Sequence, residues 1–238
     1  LVALAPNEPR PLFVVGMQRS GMRLVERMLT SHSRIKGLGP AGLLHASARS
    51  LGGQGFGYLD DMAALAGEGG ATVATAHRTR LAERAPSVVW AVEAVPGNVF
   101  HLGLAQSLFP DARVVICHRD PLDAGLACYF EDFAGASPYA YDLGDIGGHA
   151  RNVARLLDHW RQVLALPVHE IAFADLLDRP TEAAAALLRF LDLAEEAACA
   201  AIVDRQRAMC HEGAQRLGEA LAPLAAALAE PEPTRDTS

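Results

Sequence analysis

One stretch limits what this chain can become more than any other. Leu12-Phe-Val-Val15 is a continuous apolar run that stops at Gly16, and after a turn closed by Gly21 come Leu24, Val25, Met28 and Leu29 at helical spacing. An unbroken apolar run suits a strand covered on both faces, as in a parallel sheet. The spacing behind it predicts a helix over Met22–Ser31. Strand, glycine turn and helix in that order aim backbone N–H groups and the positive end of the helix at one point, a geometry that favours an anion.

The same alternation recurs. Apolar runs at Val88–Val92, Arg113–Cys117 and Val168–Phe173 read as further strands. Between them, Asn98 is placed to cap a helix to Leu108, another helix runs from Pro121 or Leu122 to Phe133, and a long one covers Gly148–Leu164. Pro180 opens a helix through Leu191, and Glu195–Ala229 reads as mostly helical. Strands alternating with helices predict a three-layer α/β/α domain with a central, mostly parallel sheet of the P-loop type. At 238 residues one domain over 1–229 is expected, with 230–238 as a flexible tail. The glycine-rich stretch Ser50–Ala71 reads as loop with short helices, a lid or a wall over the site.

Charge narrows the function. A formal net charge of −7 argues against a general binder of nucleic acid or anionic membranes, though it leaves room for a local basic pocket. No apolar run reaches the roughly 20 residues of a membrane span. The first eleven residues lack a signal peptide's basic and apolar regions, so a cytoplasmic location is expected. Cys117, Cys128, Cys199 and Cys210 show no Cys-x-x-Cys spacing and read as inert thiols. No His, Cys or carboxylate set has metal-ligand spacing, so no metal is expected.

Gly16-Met-Gln-Arg-Ser-Gly21 has its glycines at nucleotide-loop spacing. A Walker loop needs Lys and Ser or Thr next, where this chain has Met22 and Arg23, so ATPase or GTPase chemistry is disfavoured. A second candidate anion site lies further on. Arg119 directly follows a predicted strand, which puts it at the carboxyl edge of the sheet, where α/β proteins bind ligands and a guanidinium can hold a phosphate bidentately. Pairing with Asp120 or Asp123 is the plainer alternative.

Pro11-Leu-Phe-Val-Val-Gly-Met-Gln-Arg-Ser-Gly21 with Leu24-Val-Glu26 and Ser31-His32 resembles the opening of sulfotransferases, in particular the bacterial tetratricopeptide-associated and protein-tyrosine groups. The resemblance runs on through Val95-Pro-Gly-Asn98, His101-Leu-Gly-Leu104, Phe109-Pro-Asp-Ala-Arg113 and His118-Arg-Asp-Pro-Leu-Asp123, in the family's order over nearly the whole chain. It implies a donor, 3′-phosphoadenosine-5′-phosphosulfate (PAPS). Gln18, Arg19, Ser20, Gly21, Met22 and Arg23 would hold its 5′ end, Arg119 its 3′-phosphate, and a hydroxyl or amine would be the acceptor.

Sulfuryl transfer also needs a base for the acceptor and neutralisation of the leaving phosphate. By the same resemblance the base position is Pro40, the leaving-group lysine is Ala94, a donor-binding serine is Ala127, and a segment near Arg205–His211 is shortened. Losing three hydroxyl contacts to a charged group costs on the order of 5 kcal/mol, roughly 10³–10⁴-fold in affinity, unless something compensates. Arg23 either supplies an ion pair instead or stays solvated. Glu93, His45 and His118 are the remaining candidates for the base. Two readings stay open: a PAPS-dependent sulfotransferase with a rearranged site, or a sulfotransferase-like binding partner without transfer activity.

Overall fold

The computed structural model describes residues 8–52, 59, 65, 67–204 and 218–230. Most of the glycine-rich stretch, Cys210, the Arg205–His211 segment and the tail beyond Glu230 lie outside the described residues.

Five strands form the sheet: β1 (Arg10–Gly16), β2 (Ile35–Gly37), β3 (Trp90–Ala94), β4 (Arg113–His118) and β5 (Val168–Ala172). They lie in the order β2-β3-β1-β4-β5, every neighbouring pair parallel. Helices cover both faces, and this explains the unbroken apolar runs. Leu12 and Val14 of β1 pack with Leu24, Val25, Met28 and Leu29 of α1 (Met22–Leu29), and with α7 (Phe173–Asp178), α8 (Pro180–Phe190) and α9 (Ala198–Asp204). Phe13 and Val15 point the other way, against α2 (Leu43–Gly52), α3 (Glu68–Arg84), α4 (Leu102–Leu108) and α6 (Leu143–Val163). α5 (Pro121–Tyr129) and α10 (Ala222–Ala229) form a smaller apolar cluster with α6. The three-layer α/β/α architecture is as expected.

The chain leaves β1 toward β2 and β3 on one side, then crosses back to β4 and β5 on the other. The carboxyl ends of β1 and β4, aligned Gly16 to Cys117, therefore stand side by side where the winding reverses, the place where open α/β sheets form their crevice.

Several local expectations are corrected. Asn98 caps nothing. It lies inside a 3₁₀ turn, Pro96–His101, where its amide nitrogen donates to the buried Glu93 carboxylate and its side-chain oxygen, the atom a cap would use, has no partner among the described residues. α6 begins earlier, at Leu143, where the Asp142 side chain accepts from the Asp145 amide. α5 ends at Tyr129, four residues short of Phe133. Phe173 starts a helix rather than ending a strand. β2, three residues long, and α3, with glycines in its first turn, carried too little pattern to be read.

Candidate functional site

The turn after β1 is held open by backbone geometry. Gly16 has φ 154°, and a Cβ there would stand 2.5 Å from the Cys117 carbonyl oxygen and 2.6 Å from Ser20 Oγ. Gly21 has φ 105° and serves as N-cap of α1 with no side chain to cap it, so the first amides of the helix are left for another acceptor. Arg19, between them, also sits at positive φ, 68°, which costs a non-glycine residue about 1–3 kcal/mol. The Ser20 hydroxyl is buried and has no hydrogen-bond partner among the described residues. A strained loop, an uncapped helix start and an orphaned hydroxyl at one point fit an anionic group.

Arg119 completes the arrangement. Its Nη1 donates to the Arg19 carbonyl oxygen at 3.0 Å, a contact between residues 100 positions apart. Because the contact is solvent-exposed, it contributes no more than about 1 kcal/mol and steadies the turn without cancelling the strain at Arg19. The guanidinium lies 4.5 Å above the Phe173 ring, and a Cβ on Gly21 would meet that ring at 2.7 Å. Phe173 thus underlies both motifs. Asp120 is not the partner of Arg119, since its carboxylate caps α5 through the amides of Leu122 and Asp123. The Arg19 side chain reaches Glu131 at 3.2 Å.

The other residues of the turn divide. Gln18 turns toward Ser137, donating from Nε2 at 3.0 Å. The Met22 side chain is buried in the core beneath the sheet, so only its backbone N–H remains at the helix start. Arg23 is exposed one position on. Pro40 is exposed beyond β2, Ala94 closes β3, and Ala127 is half-buried on α5.

The three candidate bases lie in different surroundings. Glu93 is wholly buried. Its Oε2 accepts from the Leu44 amide at 3.3 Å and from Asn98 at 3.5 Å, and Oε1 stands 3.5 Å from His77 Nε2. Burial pushes its carboxyl up to about 7 and, with nearby arginines, pushes His77 down to about 4. His77 Nδ1 is 3.0 Å from the Ser47 hydroxyl, which donates to the Leu43 carbonyl. Glu93 therefore belongs to a sealed polar network joining β3 to α2 and α3. His118 is engaged elsewhere, with Nε2 2.6 Å from Glu170, whose other partner is Arg161 at 2.6 Å. His45 is exposed on the first turn of α2, and its Nδ1 lies 3.3 Å from Nε2 of the buried His101.

Phe173, His77 and Ser47 were not singled out by sequence, and Glu26 stood there only within the quoted opening motif, with no role of its own. The Glu26 carboxyl packs against Gly37, where a Cβ would come within 3.0 Å of Oε1. Burial raises it, while the Gly39 backbone and Arg23 oppose the rise. Only the phenylalanine carried any signal, as an aromatic at the carboxyl end of a strand. Among the described residues no group of three or more His, Cys, Asp or Glu is placed to hold a metal, and no helix is long and apolar enough to cross a membrane. Cys117, Cys128 and Cys199 are buried free thiols; burial raises all three, Cys128 to about 11.

Parallel sheet, reversed winding and an anion-shaped turn at the reversal define a P-loop-like α/β protein. The solved structures this chain resembles share that fold. They include sulfotransferase STF9 from Mycobacterium avium (19% identity, 93% of this chain and 76% of that one, TM-score 0.54). The sulfotransferase domain of the Synechococcus PCC 7002 olefin synthase is also similar (19%, 95% and 97%, 0.55), as is a sulfotransferase from Alicyclobacillus acidocaldarius (18%, 97% and 98%, 0.50). A model of the sulfotransferase family matches residues 11–197, and the chain belongs to that family. An uncharacterized protein of Aquifex aeolicus is 28% identical over 213 residues, which are 77% of this chain and 26% of that protein; the chain thus spans about a quarter of its relative's length.

Proposed function

We propose that this protein binds PAPS at the carboxyl edge between β1 and β4 and transfers its sulfuryl group to a hydroxyl or amine. The observation that carries the reading is the 3.0 Å bond from Arg119 to the Arg19 carbonyl, which joins the two sequence motifs into one cationic cradle. In this reading the uncapped amides of α1, Ser20 and Arg19 take the 5′-phosphosulfate, and Arg119 takes the 3′-phosphate. Arg23 adds an ion pair from its exposed position on the first turn. The reading also gives the protein a cytoplasmic location, with a nucleotide and a small-molecule or peptide acceptor as its partners.

A second reading, nucleotide binding without transfer, is favoured by two facts. Pro40 and Ala94 offer no proton-transfer group, and the Met22 side chain has left the turn for the core. Thermal denaturation with 3′,5′-diphosphoadenosine tests what the two readings share. A ligand that binds only the folded state at 100 times its Kd adds about 2.7 kcal/mol, roughly 5–10 °C for a chain of this size. A flat response at millimolar nucleotide would remove the donor site, and with it both readings.

A further inference from the structure

Three charged or titratable clusters lie at or near the carboxyl edge without a role in the cradle: the sealed Glu93 network, the His118–Glu170–Arg161 group beside β5, and the His45–His101 pair. The first is closed to solvent on all sides. In the second, His118 is committed to a carboxylate at 2.6 Å. The third alone presents an exposed titratable group backed by a buried one.

The pair lies beside the turn. Leu44, next to His45 in the chain, is anchored by its amide to Glu93, the penultimate residue of β3, and β3 is the neighbour of β1. Leu44, together with Val99 and Leu102 around His101, shares one apolar cluster with Met17, the first residue of the turn after β1. His101 ends the 3₁₀ turn that follows β3, so the pair belongs to the β3 side of β1, opposite β4 and Arg119. Burial, aided by the charge of His45, lowers His101 to about 4, so it is neutral near pH 7 and can offer a lone pair.

We infer that His45 is the general base of the transfer and that His101 is its positioning residue. The inference rests on the transfer reading above. The two ring nitrogens lie 3.3 Å apart, and the assignment has His45 Nδ1–H donate to His101 Nε2, so that Nε2 of His45 is left as the free lone pair. Among the described residues that nitrogen has no hydrogen-bond partner. In the step, the acceptor O–H or N–H gives its proton to His45 Nε2 while its heavy atom bonds to sulfur. The bond between sulfur and the 5′-phosphate oxygen breaks, and its electron pair leaves with 3′,5′-diphosphoadenosine. The imidazolium then releases its proton to water. Glu26 is the competing base, half-buried on α1 and turned against Gly37.

The test measures sulfate and sulfated product formed from PAPS, with water and a panel of phenol, alcohol and amine acceptors, for the parent, His45→Gln and Glu26→Gln, alongside calorimetric binding of 3′,5′-diphosphoadenosine. The expected result is a loss on the order of 100-fold in His45→Gln at unchanged nucleotide affinity, partly restored by added imidazole, with Glu26→Gln near the parent. Long-range ¹H–¹⁵N spectra should show His45 as the Nδ1–H tautomer, and His101→Leu should release it. Equal turnover in His45→Gln, loss in Glu26→Gln instead, or the opposite tautomer would each overturn the assignment. So would a parent that binds nucleotide but turns over nothing. A parent that does not bind nucleotide fails the donor site itself, a separate result.

Discussion

Two places at the same edge of the sheet treat charge in opposite ways. At the ends of β1 and β4, the guanidinium groups of Arg19 and Arg119 stay partly open to solvent, and backbone strain is accepted to keep the turn shaped. At the end of β3, one strand over, Glu93 and His77 are sealed in with no exposure. Burial of an ionisable group favours its neutral form, and both groups shift in that direction. The contrast separates a region built to meet a ligand from one built to hold helices on a strand. A titratable residue at a sheet's carboxyl edge is therefore not a catalyst by position alone.

The sharpest way to break this contrast is at Gly21. Gly21→Ala puts a side chain at φ 105° and a Cβ 2.7 Å from the Phe173 ring, so a loss of about 3 kcal/mol is expected in urea denaturation. Adding Phe173→Ala should return the steric part of that loss; a Gly21→Ala protein as stable as its parent would mean the turn is not strained. Next comes Arg119→Ala. It should weaken 3′,5′-diphosphoadenosine binding roughly 10–100-fold by calorimetry while changing stability by no more than about 1 kcal/mol. The reverse outcome would make Arg119 a structural clamp and nothing else.

The smallest effect is expected at Glu93, where glutamine keeps the shape. A carboxyl raised from 4.5 to about 7 holds a proton that the unfolded chain has lost, so stability falls as pH climbs through that window. His77, lowered from 6.5 to about 4, does the opposite, and its contribution rises over pH 4–6.5. The two slopes oppose each other in the parent. Glu93→Gln should leave only the rising limb, seen as a urea midpoint that climbs from pH 4 to 6.5 relative to the parent. Identical pH profiles would show that Glu93 titrates as an ordinary surface carboxylate.

Much of the site was legible because its anchors are local. Gly16 to Gly21 and Arg119 each follow a strand directly, and any residue in that place emerges at the carboxyl edge of a parallel sheet. The fate of Met22 was less legible: the same position offers an amide to the turn and a side chain to the core, and only packing shows where the side chain goes. The role of Asn98 was misread because the residue that suits a cap through its oxygen can also serve a buried carboxylate through its NH2, and only the fold brings Glu93 there.

From the order of residues alone came the layered sheet, its principal strands and the two cationic motifs, since hydrophobic burial imprints a period of its own on each strand and helix. Strand order decided the rest. It laid β1 beside β4, put Phe173 under both motifs, closed His77 over Glu93 and set His45 against His101. Each of those contacts joins residues far apart in the chain, and no local pattern encodes a distance that only the folded backbone creates.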